Sequence, residues 1–227
     1  MIRWDAPGPY VVAFTTREGG VSTGKFASMN LGSRTDDPAL IAENRRLACA
    51  ELGLDHERLT VNRQRHTARA VKARAGATGE TADALWTDEP GVPLLALTAD
   101  CVPIAVARTS GRPALAVVHA GWRGLASGVV QSAVEARGGD TLAIVGPAIG
   151  PCCYEVGPEV SARFDRDLTS EGRLDLWSAA ERALSGAGVA SVDRVDLCTH
   201  CNPDRFFSYR RSGAPHGAQG VIGALAG

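Results

Sequence analysis

The sequence predicts a mixed α+β or α/β fold, in one domain with mixed β-sheets flanked by helices. Three observations carry that expectation. Short apolar runs of strand length recur along the chain, at residues 11–15, 94–98, 104–107, 114–118 and 142–145. Segments with helical spacing lie between and after them. The spacing between runs is uneven, so the alternation is too irregular for a doubly wound parallel sheet. A length of 227 residues suits a single domain spanning 1–227, with a core large enough to need no staples.

Each element has its own signal. Residues 11–15 form an apolar strand, closed by the turn Thr16-Arg17-Glu18-Gly19-Gly20. Residues 38–52 read as a helix, with Asp37 as N-cap and Gly53 just beyond its end. Residues 114–118 read as a buried strand, and residues 124–136 as one helix stopped by Gly138-Gly139. Residues 142–145 form another buried strand, ended by Gly146-Pro147. Residues 157–164 and 174–185 are helix candidates. Residues 192–197 read as the final strand, leading into a cysteine-rich turn.

Composition narrows the class. Hydrophobic content is 44% and charged content 22%, values of an ordinary globular protein. Net charge is −1, so no overall field favours nucleic acid or an anionic membrane. All but two of the 24 basic residues are Arg, the exceptions being Lys25 and Lys72. The longest apolar stretch, residues 91–107, carries Asp100 and two prolines, so no membrane span is expected. The start, Met1-Ile2-Arg3-Trp4-Asp5, lacks the pattern of a secretory signal. A cytoplasmic location follows as an expectation, and with it reduced cysteines.

Three segments concentrate chemistry: Gln64-Arg65-His66-Thr67, Thr98-Ala99-Asp100-Cys101-Val102-Pro103 and Val118-His119-Ala120-Gly121-Trp122-Arg123-Gly124. Cys101 and His119 each follow an apolar strand run, so both side chains are expected on one rim of a sheet. Two imidazoles and a thiolate form a borderline-soft set suited to zinc, and three protein ligands leave one position for water. A metal-free nucleophile pair, Cys101 with His119, is the other reading of the same residues. Arg123, at the start of a helix after Gly121, is expected either to bind an anion or to form a structural salt bridge. Cys152-Cys153 and Cys198-Thr199-His200-Cys201 offer half of a second zinc site. Two adjacent cysteines fit the other half poorly, so these four are read as buried thiols.

These segments resemble a family first labelled laccase-domain or multicopper polyphenol oxidase and later reassigned to purine nucleoside phosphorylases with adenosine deaminase activity; one bacterial member is described as a peptidoglycan editing factor. The resemblance runs from Phe14-Thr15-Thr16-Arg17-Glu18-Gly19-Gly20-Val21-Ser22 through Ser28-Met29-Asn30-Leu31-Gly32, Glu43-Asn44-Arg45 and the Cys101 and His119 motifs. It closes with Gly146-Pro147-Ala148-Ile149-Gly150, Cys153-Tyr154-Glu155-Val156-Gly157 and Phe206-Phe207-Ser208-Tyr209-Arg210-Arg211. It implies a laccase-domain fold of cysteine-hydrolase type, with one zinc per chain on His66, Cys101 and His119 and copper disfavoured. The implied substrates are small molecules: phosphate and purine nucleosides such as adenosine, inosine, guanosine and methylthioadenosine. Arg45, Arg123 and Arg210 become candidate phosphate clamps and Tyr154 a base-stacking residue. Cys101, Asp100 and Glu155 become candidate catalytic groups. The pattern departs from the family at Arg65, where Val is usual, and at Ala218, where Arg is usual.

Multicopper oxidation is disfavoured by ligand supply, since the chain holds only five histidines and no His-x-His pair. A zinc- or cysteine-dependent hydrolase of a cell-wall precursor, and a non-enzymatic zinc module closed by a fourth ligand, stay open. So does the oligomeric state.

Overall fold

The computed structural model describes residues 1–32 and 36–227. In chain order its elements are β1 (Ile2–Trp4), β2 (Tyr10–Phe14), α1 (Pro38–Glu51), β3 (Thr60–Arg63), β4 (Ala70–Lys72), β5 (Thr78–Thr81), β6 (Ala84–Thr87), β7 (Leu94–Thr98), β8 (Val102–Arg108) and β9 (Leu115–Ala120). There follow α2 (Trp122–Ala126), α3 (Val129–Arg137), β10 (Thr141–Val145), α4 (Pro158–Ser161), β11 (Thr169–Ser170), β12 (Arg173–Leu174), α5 (Leu176–Gly186), β13 (Ser191–Arg194), α6 (Tyr209–Ser212) and β14 (Gln219–Leu225).

Two six-stranded sheets form, in the orders β1-β2-β14-β7-β3-β5 and β13-β10-β8-β9-β6-β4. Both are mixed. In the first, β7, β3 and β5 pair in parallel and the rest are antiparallel; in the second, the outer pairs β10–β13 and β4–β6 are parallel. The sheets face one another across Phe14, Leu94, Leu115, Val117 and Val221. The outer face of the second sheet packs Ile104, Val106 and Val118 beneath α3 and α5, through Val130, Ala133, Leu176 and Leu184. The outer face of the first packs Ala13, Leu95 and Ile222 beneath Ala48 and Cys49 of α1. Four layers result, and the expected single domain of mixed sheets flanked by helices is what forms. Each fully buried Leu or Ile in these layers contributes about 1.5–3 kcal/mol of transfer free energy.

Local signals account for several boundaries. Asp37 caps α1, accepting from Ala39 N at 2.8 Å, and Pro38 occupies the first turn, where its missing N–H costs nothing. Asp175 caps α5 in the same manner.

Four expectations need correction. The helix expected over 124–136 is two helices, α2 and α3, broken at Gly128, whose φ of 90° is open to glycine and costly for other residues. The helix expected over 157–164 is a single turn, α4. Arg163 and Phe164 then bond three residues back, a tighter geometry that does not propagate. The strand expected over 192–197 stops at Arg194. It is not the last strand: β14 follows, central in the first sheet and buried at all seven positions.

Candidate metal and substrate site

One end of the sandwich opens into a cavity of about 830 Å³. His119 shares the face of β9 that carries Leu115 and Val117, so its ring points between the sheets where they part. Cys101 sits in the connection from β7 to β8. His66 lies in the loop after β3 with φ of 58°. Strand ends thus bring the three together, although 53 residues separate the first from the last.

The geometry fits a shared metal ion. The donor atoms of His66, Cys101 and His119 all lie within 4.8 Å of one another. Cys101 Sγ stands 3.6 Å from His66 Nε2. A tetrahedral zinc, with its usual bond lengths to sulfur and nitrogen, sets two such atoms about 3.6 Å apart. The imidazole rings meet edge to face with centroids 4.8 Å apart. Burial pushes the Cys101 thiol up, but the His119 and His66 imidazoles beside it pull harder and bring it down to about 6. Burial alone would lower His119; the Cys101 thiolate and the Asp83 carboxylate raise it to about 9.

Asp83 organises this site, and the sequence did not single it out. Its fully buried side chain accepts from the Arg65, His66 and Thr67 amides at 3.1, 3.0 and 2.7 Å, and from Thr67 Oγ1 at 2.8 Å. It also accepts from His119 Nδ1 at 2.8 Å. Burial works to raise its carboxyl, but the hydrogen bonds from His119, Thr67 and Arg65 hold it well below the usual carboxylate range. With Nδ1 held by Asp83, Nε2 is the His119 nitrogen left to face a metal, once deprotonated, or the Cys101 sulfur. An Asp before a strand has no recognisable spacing; only the turn that wraps three amides around it marks it out.

Gly121 closes the site from below. A β-carbon built there would meet His66 Cδ2 at 2.6 Å and Cys101 Sγ at 2.9 Å. Gly121→Ala is therefore expected to displace His66 and Cys101 and weaken metal binding by about tenfold or more, while the sheets stay folded. Zinc titration beside far-ultraviolet dichroism checks this; unchanged affinity would show that the loop yields freely.

The remaining predicted residues fall into two groups. Arg123, Tyr154, Arg210 and Asp100 line the cavity. The Arg123 guanidinium lies over the Trp122 ring, 4.2 Å from its centroid, and makes no ion pair or hydrogen bond among the described residues. The salt bridge considered for it is not formed. The helix it opens has only five residues, so the charge on Arg123, and not a helix dipole, is what an anion would meet. Arg210 is held by its amide to Asp100 at 2.6 Å and by Nη1 to the Glu155 carbonyl at 3.0 Å, with its head 5.1 Å from the Tyr154 ring. Burial, with Cys101 nearby, raises the Tyr154 hydroxyl to about 12. Asp100, with φ of 90°, also accepts from Thr199 Oγ1 at 2.6 Å and Ser208 Oγ at 3.0 Å. Three donors occupy its two oxygens and tie the Cys101 loop to the segment bearing Arg210.

Arg45 and Glu155 stand apart. Arg45 Nε donates to the Leu31 carbonyl at 2.8 Å, and the residue is not part of the cavity wall. The Glu155 side chain turns to solvent near Arg173 at 3.7 Å; only its backbone serves the site. Arg65, Gln64, Tyr209 and His216 also line the cavity. The Gln64 amide pairs with both backbone groups of Leu97, at 2.8 and 2.7 Å, and so fixes the loop carrying His66 to the end of β7. Of the four cysteines expected as buried thiols only Cys198 is buried; Cys153 is half-buried, Cys152 and Cys201 are exposed, and all four sulfurs lie within 4.8 Å of one another.

Fold and site together define a single-domain, four-layer protein with a His–Cys–His metal-type site at the open end of its sandwich. The chain belongs to the family described as multi-copper polyphenol oxidoreductase laccase, which it matches over residues 11–225. A purine nucleoside phosphorylase of Pseudomonas aeruginosa is 39% identical to it, covering 92% of this chain and 91% of the relative. Another purine nucleoside phosphorylase, from Deinococcus radiodurans, is also 39% identical, covering 92% of this chain and 87% of the relative. The crystal structure of YlmD from Geobacillus stearothermophilus superposes with a TM-score of 0.90 at 33% identity, covering 99% of this chain and 96% of that one.

Proposed function

We propose that this chain is a purine nucleoside phosphorylase that also deaminates adenosine, with one zinc on His66, Cys101 and His119. The observation that carries the reading is the cavity itself: the three donors share it with a guanidinium at Arg123 that has no ion-pair or hydrogen-bond partner among the described residues. The family description names copper, but a multicopper cluster needs more imidazoles than five histidines supply. A mixed thiolate and imidazole set suits zinc. Bound there, the ion would supply Lewis acidity and a water of lowered pKa.

The chain's own residues divide the remaining work. Phosphorolysis needs an oxyanion of phosphate brought to the sugar carbon while the purine departs with a proton. Arg123 and Arg210 offer cationic forks for the phosphate, and Arg65 adds a third in the same cavity. Tyr154 presents an aromatic face, and its hydroxyl stays protonated at neutral pH, able to donate to the departing base. Asp83 orients His119, and Asp100 positions the Arg210 segment. All six cysteines are free, which suits the proposed cytoplasmic setting. No helix among the described residues is long and apolar enough to cross a membrane.

The deciding experiment incubates metal-analysed protein with adenosine and inosine, with and without phosphate. Phosphate-dependent release of free base and phosphate-independent conversion of adenosine to inosine support the reading; the absence of both overturns it. Arg123→Ala is expected to lower phosphorolysis by roughly 10–100-fold while deamination falls by less than about threefold. The ratio of the two rates, with melting temperature and zinc content as controls, checks this. A parallel loss of both activities would assign Arg123 to structure.

One observation favours a second reading. Cys101, His119 and Asp83 also line up as nucleophile, base and orienting carboxylate. A hydrolase acting on a peptidoglycan precursor through Cys101 would use that alignment, and a substrate panel containing such precursors distinguishes it.

A further inference from the structure

We propose that Cys152, Cys153, Cys198 and Cys201 hold a second, structural zinc ion that braces the wall of the cavity. Four thiols from two segments converge, and their sulfurs all lie within 4.8 Å of one another. Cys201 Sγ stands 3.7 Å from Cys152 Sγ and 3.3 Å from Cys153 Sγ. Tetrahedral zinc in a four-thiolate site sets its sulfurs about 3.8 Å apart. Adjacent cysteines seem poor partners because a strand would point them to opposite faces. Here residues 150–154 turn: the Cys153 and Tyr154 amides both donate to the Gly150 carbonyl at 3.0 Å. That curvature lets both sulfurs reach Cys201. The Gly150 amide donates to Cys198 Sγ at 3.3 Å, the kind of N–H contact that supports a metal-bound thiolate. Thiolates select zinc among the hard and borderline cations, and four of them close the coordination shell, which marks a structural site.

A disulfide is the competing fate of clustered thiols. It joins sulfurs only two at a time, whereas a metal engages all four at one centre. The placement gives the ion a purpose. One segment carries Tyr154, in the cavity wall. The other carries Thr199, which donates to Asp100, and the carbonyls of Thr199 and His200, which accept from Arg211 at 2.8 and 3.0 Å. Apart from the Ala148–Cys198 bridge and the hydrogen bond from the Thr199 amide to the Ala148 carbonyl, the sulfurs are what join these two turns among the described residues.

The test measures zinc per chain in protein purified with reductant and without chelator, for the parent, Cys101→Ala and Cys152→Ser/Cys201→Ser. About two, one and one are expected. Cobalt-loaded Cys101→Ala protein is expected to show the intense sulfur-to-metal charge transfer of a four-thiolate site. A parent with a single zinc that Cys101→Ala abolishes, or a double-serine variant with the parent's zinc content, overturns the proposal. So does a parent, unfolded without reductant, that has lost two or four of its six titratable thiols, because disulfides then occupy the cluster. Should the double-serine variant fail to fold, the Cys101→Ala protein decides by itself: residual zinc with a four-thiolate cobalt spectrum supports the site, and zinc-free protein overturns it. The result is independent of whether nucleosides are the substrate.

Discussion

Cys101→Ala is expected to lose one equivalent of zinc per chain and, with it, both phosphorolysis and deamination, each by on the order of 10³-fold or more. The thiolate is the only anionic donor in the set; without it two neutral imidazoles remain, too few to hold the ion tightly. The low thiol pKa of about 6 is coupled to a raised His119 at about 9, so at neutral pH the ion meets an ionised thiolate and displaces the one proton that His119 holds. The same low pKa would serve a nucleophile, and the variant separates the two roles. Zinc content equal to the parent's with lost activity would give Cys101 to covalent catalysis, with His119 as base and Asp83 as its orienting carboxylate. One zinc equivalent and both activities lost together, with the second equivalent retained, would fix the thiolate as a ligand. Metal analysis and both rates are the measurements.

The layers and the donors were legible in the sequence to different degrees, for physical reasons. Rare residue types at strand ends announce themselves: five histidines and six cysteines leave few ways to build a site, and His66, Cys101 and His119 converge. β14 was invisible because Gly220 and Gly223 interrupt its apolar run. Both glycines are there for contact: a β-carbon at Gly220 would meet the Ala96 carbonyl at 2.1 Å, and one at Gly223 the Leu115 side chain at 2.8 Å. Arg45 and Glu155 were assigned to the site because sequence gives residue type but not side-chain direction. The first is spent on the Leu31 carbonyl and the second faces solvent. The cysteine cluster was discounted because adjacent thiols look incompatible until the turn at residues 150–154 is known. Asp83 was missed because a carboxylate acquires its role only when the fold buries it among amides.

Asp83→Asn carries the second large effect, because the two residues have nearly the same shape and opposite hydrogen-bonding logic. One Asp83 oxygen accepts from the His66 amide and His119 Nδ1, the other from the Arg65 and Thr67 amides and the Thr67 hydroxyl. An asparagine must present its NH₂ to one of these groups. Facing the Arg65 and Thr67 side, it opposes two amide donors that have no other partner. Facing the other side, it opposes the His66 amide and can satisfy His119 only by donating to Nδ1. The imidazole proton then moves to Nε2 and removes the lone pair a metal would use. Either orientation leaves part-buried donors facing the buried Asp83 position unpaired, at a cost of roughly 2–4 kcal/mol. For a domain of this length that lowers the melting temperature of the metal-free protein by roughly 5–15 °C. Zinc affinity is expected to fall by about 10–100-fold through the tautomer. The two effects are measured separately, by melting the metal-free proteins and by zinc titration well below the transition. Zinc affinity within about twofold of the parent would show that His119 does not bind metal through Nε2. An unchanged melting temperature of the metal-free protein would show that the five donors around Asp83 find other acceptors.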